Sequence, residues 1–93
     1  MSELPLAGLR VLDYGQYVAG PFATMLLADL GADVVKVEPP GGDPLAKIGA
    51  QRNGRSLPYV LANRGKRRVV IDVDTDDGRA ALHRLATAAD VVI

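Results

Sequence analysis

The stretch from Leu9 to Glu38, LRVLDYGQYVAGPFATMLLADLGADVVKVE, constrains the fold more than any other part of the chain. Arg10 to Tyr14 reads as a short buried strand, Pro21 to Leu30 as a helix, and Asp33 to Glu38 as a second strand rich in valine. A strand, a loop, a helix and a strand in about thirty residues is the minimum length of a right-handed crossover between parallel strands. The rest of the chain extends that unit, so the expectation is an α/β fold with a parallel sheet and flanking helices.

The boundaries inside the unit have physical causes. Gly15 to Gly20 has too few packing side chains for either regular element, and Pro21 suits the first turn of a helix, where no backbone donor is needed. Gly31 follows the last leucine, where a left-handed cap forms most readily. Phe22, Met25, Leu26 and Leu30 fall on one helical stripe, with Thr24 and Asp29 off it. In the second strand Val34, Val35 and Val37 suit a sheet covered on both faces, and Lys36 breaks the run. Ligands meet such sheets at the carboxyl ends of strands, which makes the Gly15 to Gly20 loop the first place to look for function.

Ahead of this unit, Met1 to Gly8 is a polar lead in which Pro5 prevents early helix, and Leu4 and Leu6 pack on the sheet edge. Met1 to Ala7 carries an acidic residue and no apolar run, unlike a signal peptide, and no stretch approaches the ~20 apolar residues of a membrane span. The chain has no cysteine, which excludes disulfides and thiolate metal sites. A cytoplasmic protein without a membrane partner is expected.

After Glu38 the run Pro39-Pro40-Gly41-Gly42-Asp43-Pro44 ends the second strand. From Lys47 to Arg68 there are seven basic side chains (Lys47, Arg52, Arg55, Arg64, Lys66, Arg67, Arg68) and no acidic one. Within that segment Ser56 caps a short helix with Pro58 in its first turn, and Gly65 closes it. Val69 to Val73 reads as a third strand. Thr75 is a good N-cap for a helix running to about Ala88, with Asp76 and Asp77 matching its dipole and Leu82, Leu85, Ala86 and Ala89 forming its apolar stripe. Asp90 to Ile93 opens a fourth strand, and a stop inside a buried strand leads us to expect the N-terminal piece of something larger.

Several chemistries are weighed on the residues themselves. Gly15-Gln16-Tyr17-Val18-Ala19-Gly20 lacks the middle glycine of a dinucleotide fingerprint, and Pro21 removes an amide where a pyrophosphate needs one. No Gly-Lys-Ser/Thr follows, which excludes a phosphate loop of the Walker type. Asn63-Arg64-Gly65-Lys66-Arg67-Arg68 has the cations to neutralise phosphates. It reads equally as a solvated turn, or as one paired with Asp72 to Asp77. Nucleic acid fits poorly, since one Phe, three Tyr and no Trp leave little to stack bases and the net charge is zero. His83 has no companion at metal-ligand spacing and reads as a surface residue, so no metal is expected. Asp13 ends the first strand facing the loop, where structural capping of the loop amides is favoured over catalysis. Asp33 and Asp90 read as turn residues.

Five ordered blocks carry a resemblance. Pro5-Leu6-Ala7-Gly8-Leu9-Arg10-Val11-Leu12-Asp13, Val18-Ala19-Gly20-Pro21-Phe22-Ala23-Thr24 and Leu27 to Glu38 resemble the N-terminus of family III CoA-transferases, the family of the carnitine and formyl-CoA transferases. Asn63-Arg64-Gly65-Lys66-Arg67 and Ala89-Asp90-Val91-Val92-Ile93 extend the likeness over nearly the whole chain, in register.

The resemblance implies an enzyme that moves coenzyme A from an acyl-CoA to a carboxylic acid, with the coenzyme A thioester as substrate and no prosthetic group. It implies an aspartate nucleophile that forms a mixed anhydride and then an enzyme-bound thioester. That aspartate lies downstream, so no catalytic residue is expected in residues 1–93 and this segment alone is expected to be inactive. The implied fold is a Rossmann-like large domain, of which 1–93 is the first part, in an interlocked homodimer. By position the family's coenzyme-binding loop falls on Gln16, Val18 and Ala19, and a second contact region on Ile71, Asp72, Val73 and Asp74. Gln16 stands where some formyl-CoA enzymes have histidine, and Val18 where they have glutamine, which argues against formyl-CoA specificity. Pro39 and Asp74 replace basic residues, leaving Arg64, Lys66 and Arg67 as our inferred phosphate partners. The alternatives are an α-methylacyl-CoA racemase, whose loop looks more like Gly-Pro-Gly-Pro than Val-Ala-Gly-Pro, a dinucleotide-binding domain, or a non-catalytic binding module.

Overall fold

The computed structural model describes residues 4–16 and 18–93, and the readings placed on Met1 to Glu3 and on Tyr17 lie outside the described residues. In chain order the elements are β1 (Arg10–Asp13), α1 (Ala19–Asp29), β2 (Asp33–Glu38), a 3₁₀ turn (Pro44–Lys47), β3 (Gln51–Arg52), β4 (Arg55–Ser56), α2 (Leu57–Ala62), β5 (Arg67–Val70), α3 (Asp76–Ala88) and β6 (Val91–Val92). Four strands form one sheet in the order β5-β2-β1-β6, and every neighbouring pair is parallel. Val11 sits opposite Val34 and Val91, and Val37 opposite Val69.

The β1–β2 and β5–β6 crossovers run in opposite directions along this sheet, so a common right hand puts α1 and α3 on opposite faces. α1 covers Val11 and Val34 with Leu27 and Ala28, and α3 covers Leu12, Val37 and Ile71 with Leu82, Leu85 and Ala86. Each of the buried valines and leucines contributes about 1.5–3 kcal/mol relative to exposure. The α3 stripe is the one the sequence predicts. Thr75 caps that helix through the Gly78 amide at 3.0 Å, and Ser56 caps α2 through the Tyr59 amide at 3.3 Å.

Side chains alternate between faces along a strand. On the α1 face the sequence of side chains is Val11 then Asp13 in β1, and Val34, Lys36, then Glu38 in β2, all of them buried. That face therefore changes from hydrocarbon at its amino half to ionic at its carboxyl half.

The structure corrects several expectations. α1 buries Pro21, Thr24 and Met25, whereas Phe22, Leu26 and Leu30 are exposed. Nearly every position of α1 is apolar, so hydrophobicity does not select a face, and the hydroxyl of Thr24 does so by bonding Asp13. α1 also starts two residues before Pro21, and β1 stops at Asp13, although the Tyr14 amide still reaches Ile93 O at 2.7 Å. The third strand is Arg67–Val70 rather than Val69 to Val73, with the Ile71 amide adding one more bond to Glu38 O at 2.9 Å. β3 and β4 form a hairpin that the sequence reading lacks; its turn is Asn53-Gly54, with φ of 53° and 76°, the pair of positive values a tight hairpin needs. Leu6 packs on the core as expected, but Leu4 is exposed. Asp33 opens β2 instead of lying in a turn.

Candidate functional site

The loop between β1 and α1 leaves the carboxyl edge of the sheet and turns back on itself within a few residues. A Cβ on Gly20 would lie 3.1 Å from the Gly15 Cα, and one on Gly15 would lie 3.1 Å from both the Gly20 Cα and Asp13 Oδ1. The two glycines are back to back, which explains them without a dinucleotide. Close approach of backbone to backbone is the requirement they meet.

Beneath the loop lies a buried ionic network. Asp13 accepts from the Gly15 amide at 2.8 Å, the Thr24 hydroxyl at 2.7 Å and Lys66 Nζ at 2.9 Å. Lys66 Nζ also donates to Pro21 O at 2.8 Å and Asn63 Oδ1 at 2.9 Å, so all three of its protons are used. Lys36 Nζ donates to Gly15 O at 3.1 Å and pairs with Asp43 Oδ2 at 3.0 Å. Burial pushes the Asp13 carboxyl up, but Thr24, Lys66 and Gly15 together hold it below its ordinary value. Burial holds the Lys66 ammonium below its usual range, against the pull of Asp13. Asp13 is thus a structural organiser of the loop, as its position at the end of a strand suggests. Thr24 and Lys36 are members that sequence reasoning passed over; a lysine amid the valines of β2 is the signal that was available.

Above the network the start of α1 is bare. Val18 is the N-cap and offers no side-chain hydrogen bond, and the first turn holds no acidic residue. First-turn amides have no acceptor within a helix, so this end carries partial positive charge toward the loop. Gln16, Val18 and Ala19 are all exposed around it. Phe22, Leu26 and Leu61 join Val18 in lining an apolar groove of about 460 Å³ between α1 and α2.

The remaining candidate residues fall into two places. Ile71, Asp72, Val73 and Asp74 follow β5 at the same carboxyl edge, but the Ile71 side chain is in the core and Asp72 is engaged with the Asp74 amide at 3.0 Å. Only backbone and exposed carboxylates are offered there. Arg64 and Arg67 lie at the other edge: Arg64 forms a two-point pair with Asp29 at the end of α1, and Arg67 with Asp33 at the start of β2, both closing to 2.7 Å. The Asp29 contact holds the Arg64 guanidinium above, and the Asp29 carboxyl below, their ordinary values. The structure therefore does not bring Arg67 to the loop, whereas Arg64, though paired with Asp29, also lines the groove with Val18 and Phe22; the basic turn pairs with Asp13, Asp29, Asp33 and Glu38 rather than with Asp72 to Asp77. Arg64 and Arg68 accompany Lys36, Arg55, Tyr59 and Lys66 around a second cavity of about 490 Å³. Tyr59 donates a short hydrogen bond to Glu38 there; burial first, then Glu38, raises its phenol above the usual value.

Among the described residues no three His, Cys, Asp or Glu side chains are grouped to hold a metal, and no helix is long and apolar enough to cross a membrane. His83 is exposed.

Comparison with known proteins points one way. The sequence pattern described as CoA-transferase family III matches residues 6–93. A succinyl-CoA:D-citramalate CoA-transferase of Chloroflexus aurantiacus is 46% identical over 91 residues, a match covering 96% of this chain and 23% of that protein. A succinate:glutarate CoA-transferase of Agrobacterium fabrum is 44% identical over 97 residues, covering 96% of this chain and 24% of its own length. The crystal structure of a CAIB/BAIF family protein from Brucella suis superposes with a TM-score of 0.90 at 40% identity, over 98% of this chain and 25% of the other. The chain thus spans about a quarter of the length of the relatives it matches.

Proposed function

We propose, since the chain belongs to CoA-transferase family III, that it forms the coenzyme-binding opening of an enzyme that moves coenzyme A from an acyl-CoA thioester to a carboxylic acid. The observation that carries this reading is the bare start of α1 at the carboxyl edge of the sheet, with Gln16, Val18 and Ala19 exposed around it and no side chain of the described residues capping it. A loop so shaped admits a large ligand close to the backbone, which is how parallel sheets bind phosphate-bearing molecules. Ile71 to Asp74 lines the same edge and, being acidic and locally bonded, suits hydrogen-bond donors of an adenosine better than its phosphates. The phosphates fall instead to cations that face the cavities, Arg55, Arg64 and Arg68 before Arg67.

The chemistry we assign follows the family resemblance. A carboxylate of an aspartate supplied from outside these 93 residues attacks the thioester carbonyl and expels the coenzyme A thiolate, leaving a mixed anhydride. The thiolate then attacks the aspartyl carbonyl, releasing the donor acid and leaving an enzyme thioester; the acceptor acid reverses the two steps. The segment's part is to bind and orient the coenzyme, within the large domain of an interlocked dimer in the cytoplasm.

The test is acceptor-dependent transfer by the full-length protein, with succinyl-CoA as donor and a set of dicarboxylic acids as acceptors. New thioester formed in proportion to acceptor is the expected result. Solvent exchange of the α-hydrogen of a 2-methylacyl-CoA without any transfer would replace this reading with a racemase, and tight binding of a nicotinamide cofactor with none of coenzyme A would replace it with a dinucleotide domain.

A further inference from the structure

Two buried ammonium groups hold the β1–α1 loop, and neither belongs to the loop or to the helix it opens. Lys36, in β2, donates to Gly15 O; Lys66, ahead of β5 and 45 residues from Pro21 in sequence, donates to Pro21 O. We propose that Lys36 and Lys66 are positioning residues that fix the two ends of the Gly15–Pro21 backbone, so that the start of α1 faces the coenzyme. This rests on the coenzyme A reading above.

Stability does not explain the arrangement. At the amino half of the same sheet face, Val11 and Val34 fill equivalent space with hydrocarbon. Replacing a buried ion pair by apolar residues of similar volume is commonly neutral or stabilising, so two lysines and two aspartates are not what a core alone selects. What they do that valines cannot is grip particular carbonyls. Each ammonium couples one backbone carbonyl to one buried carboxylate: Gly15 O of the loop to Asp43 through Lys36, and Pro21 O of the first turn of α1 to Asp13 through Lys66. Asp13 then closes the ring by accepting from the Gly15 amide and from Thr24 inside α1. The backbone is thereby held near the start of the loop, at Gly15, and again in the first turn of α1, at Pro21, while the exposed Gln16 and Val18 between them are left to the ligand.

The test combines a coenzyme A titration with amide hydrogen exchange in the full-length protein. Lys66→Met is expected to weaken coenzyme A binding about 10- to 100-fold, by analogy with the loss of a side chain that orients a metal ligand. Exchange is expected to quicken at Gly15 to Phe22 while the β1–β2 ladder stays protected. Thr24→Val keeps the shape of the core, removes one bond to Asp13, and is expected to act in the same sense by about 2- to 10-fold; it decides the matter if Lys66→Met does not fold. Unchanged affinity and unchanged loop exchange would overturn the proposal. So would faster exchange across the whole sheet, with affinity falling only as stability falls, since that marks a merely structural role. If the unaltered protein binds no coenzyme A, the functional reading fails, yet the exchange pattern still decides whether the lysines hold the loop.

Discussion

Two helices leave this sheet from the same edge, α1 after β1 and α3 after β5, and they begin in opposite ways. α3 is closed by its own residues: Thr75 caps the Gly78 amide, Asp76 and Asp77 fill the first turn, and the Arg79 side chain folds back onto Asp76. α1 has no side-chain cap and no acid in its first turn, and the charges beneath its loop are the Asp13 carboxylate and the ammonium groups of Lys36 and Lys66, joined to one another and to the backbone. Each helix start carries roughly half a positive charge. The chain meets one with first-turn carboxylates and puts none in the first turn of the other, which is the opening that the coenzyme A proposal uses. Helix starts that look alike in topology thus differ in how they are closed, and the difference lies in a few side chains.

The comparison can be broken most forcefully at the network under α1. Asp13→Ala leaves Lys66 buried with its main anionic partner gone, and is expected to cost about 3–5 kcal/mol in a denaturant melt. The same carboxyl gives a pH signature. Its folded value lies below the ordinary 3.8, so its stabilisation is present above the unfolded value and is lost as pH falls from about 4 through the lower folded value. Asp13→Asn should flatten the stability profile in that window.

A smaller change makes α1 resemble α3. Val18→Asp adds a cap and a negative charge, and is expected to raise stability by about 0.3–1 kcal/mol while weakening coenzyme A binding about tenfold. Stability and affinity moving in opposite directions is the mark of a helix start reserved for an anion. The converse change touches stability alone. Thr75→Ala should lose about 1 kcal/mol of stability, read from the melting transition, with coenzyme A affinity unaltered.

The sequence made some of this legible and hid the rest for identifiable reasons. β2 is read to the residue, because valines bounded by Gly-Ala and Pro-Pro leave it no freedom. Thr75 and Ser56 are read because a cap is a local contact. The buried face of α1 is not legible, since a helix apolar almost all round gives no stripe to follow; the side turned inward is chosen by one hydroxyl meeting Asp13, eleven residues away. Ion-pair partners are hidden for the same reason. Arg64 and Arg67 find Asp29 and Asp33, 35 and 34 residues back, and no charge count along the chain distinguishes those from Asp72 or Asp74. The hairpin was announced by Asn53-Gly54, but its two-residue strands lack the alternation that usually frames such a turn. At the site, the loop was found from topology and resemblance, while Lys36 and Lys66 act through backbone carbonyls that no motif records.

The most direct measurement follows the backbone amides of the full-length protein during a coenzyme A titration. Saturable changes centred on Gly15 to Phe22, reaching Ile71 to Asp74 and sparing Asp76 to Gly78, are the result predicted here. Changes confined to Gln51 to Arg68, or to the start of α3, with the β1–α1 loop unaffected, would contradict it.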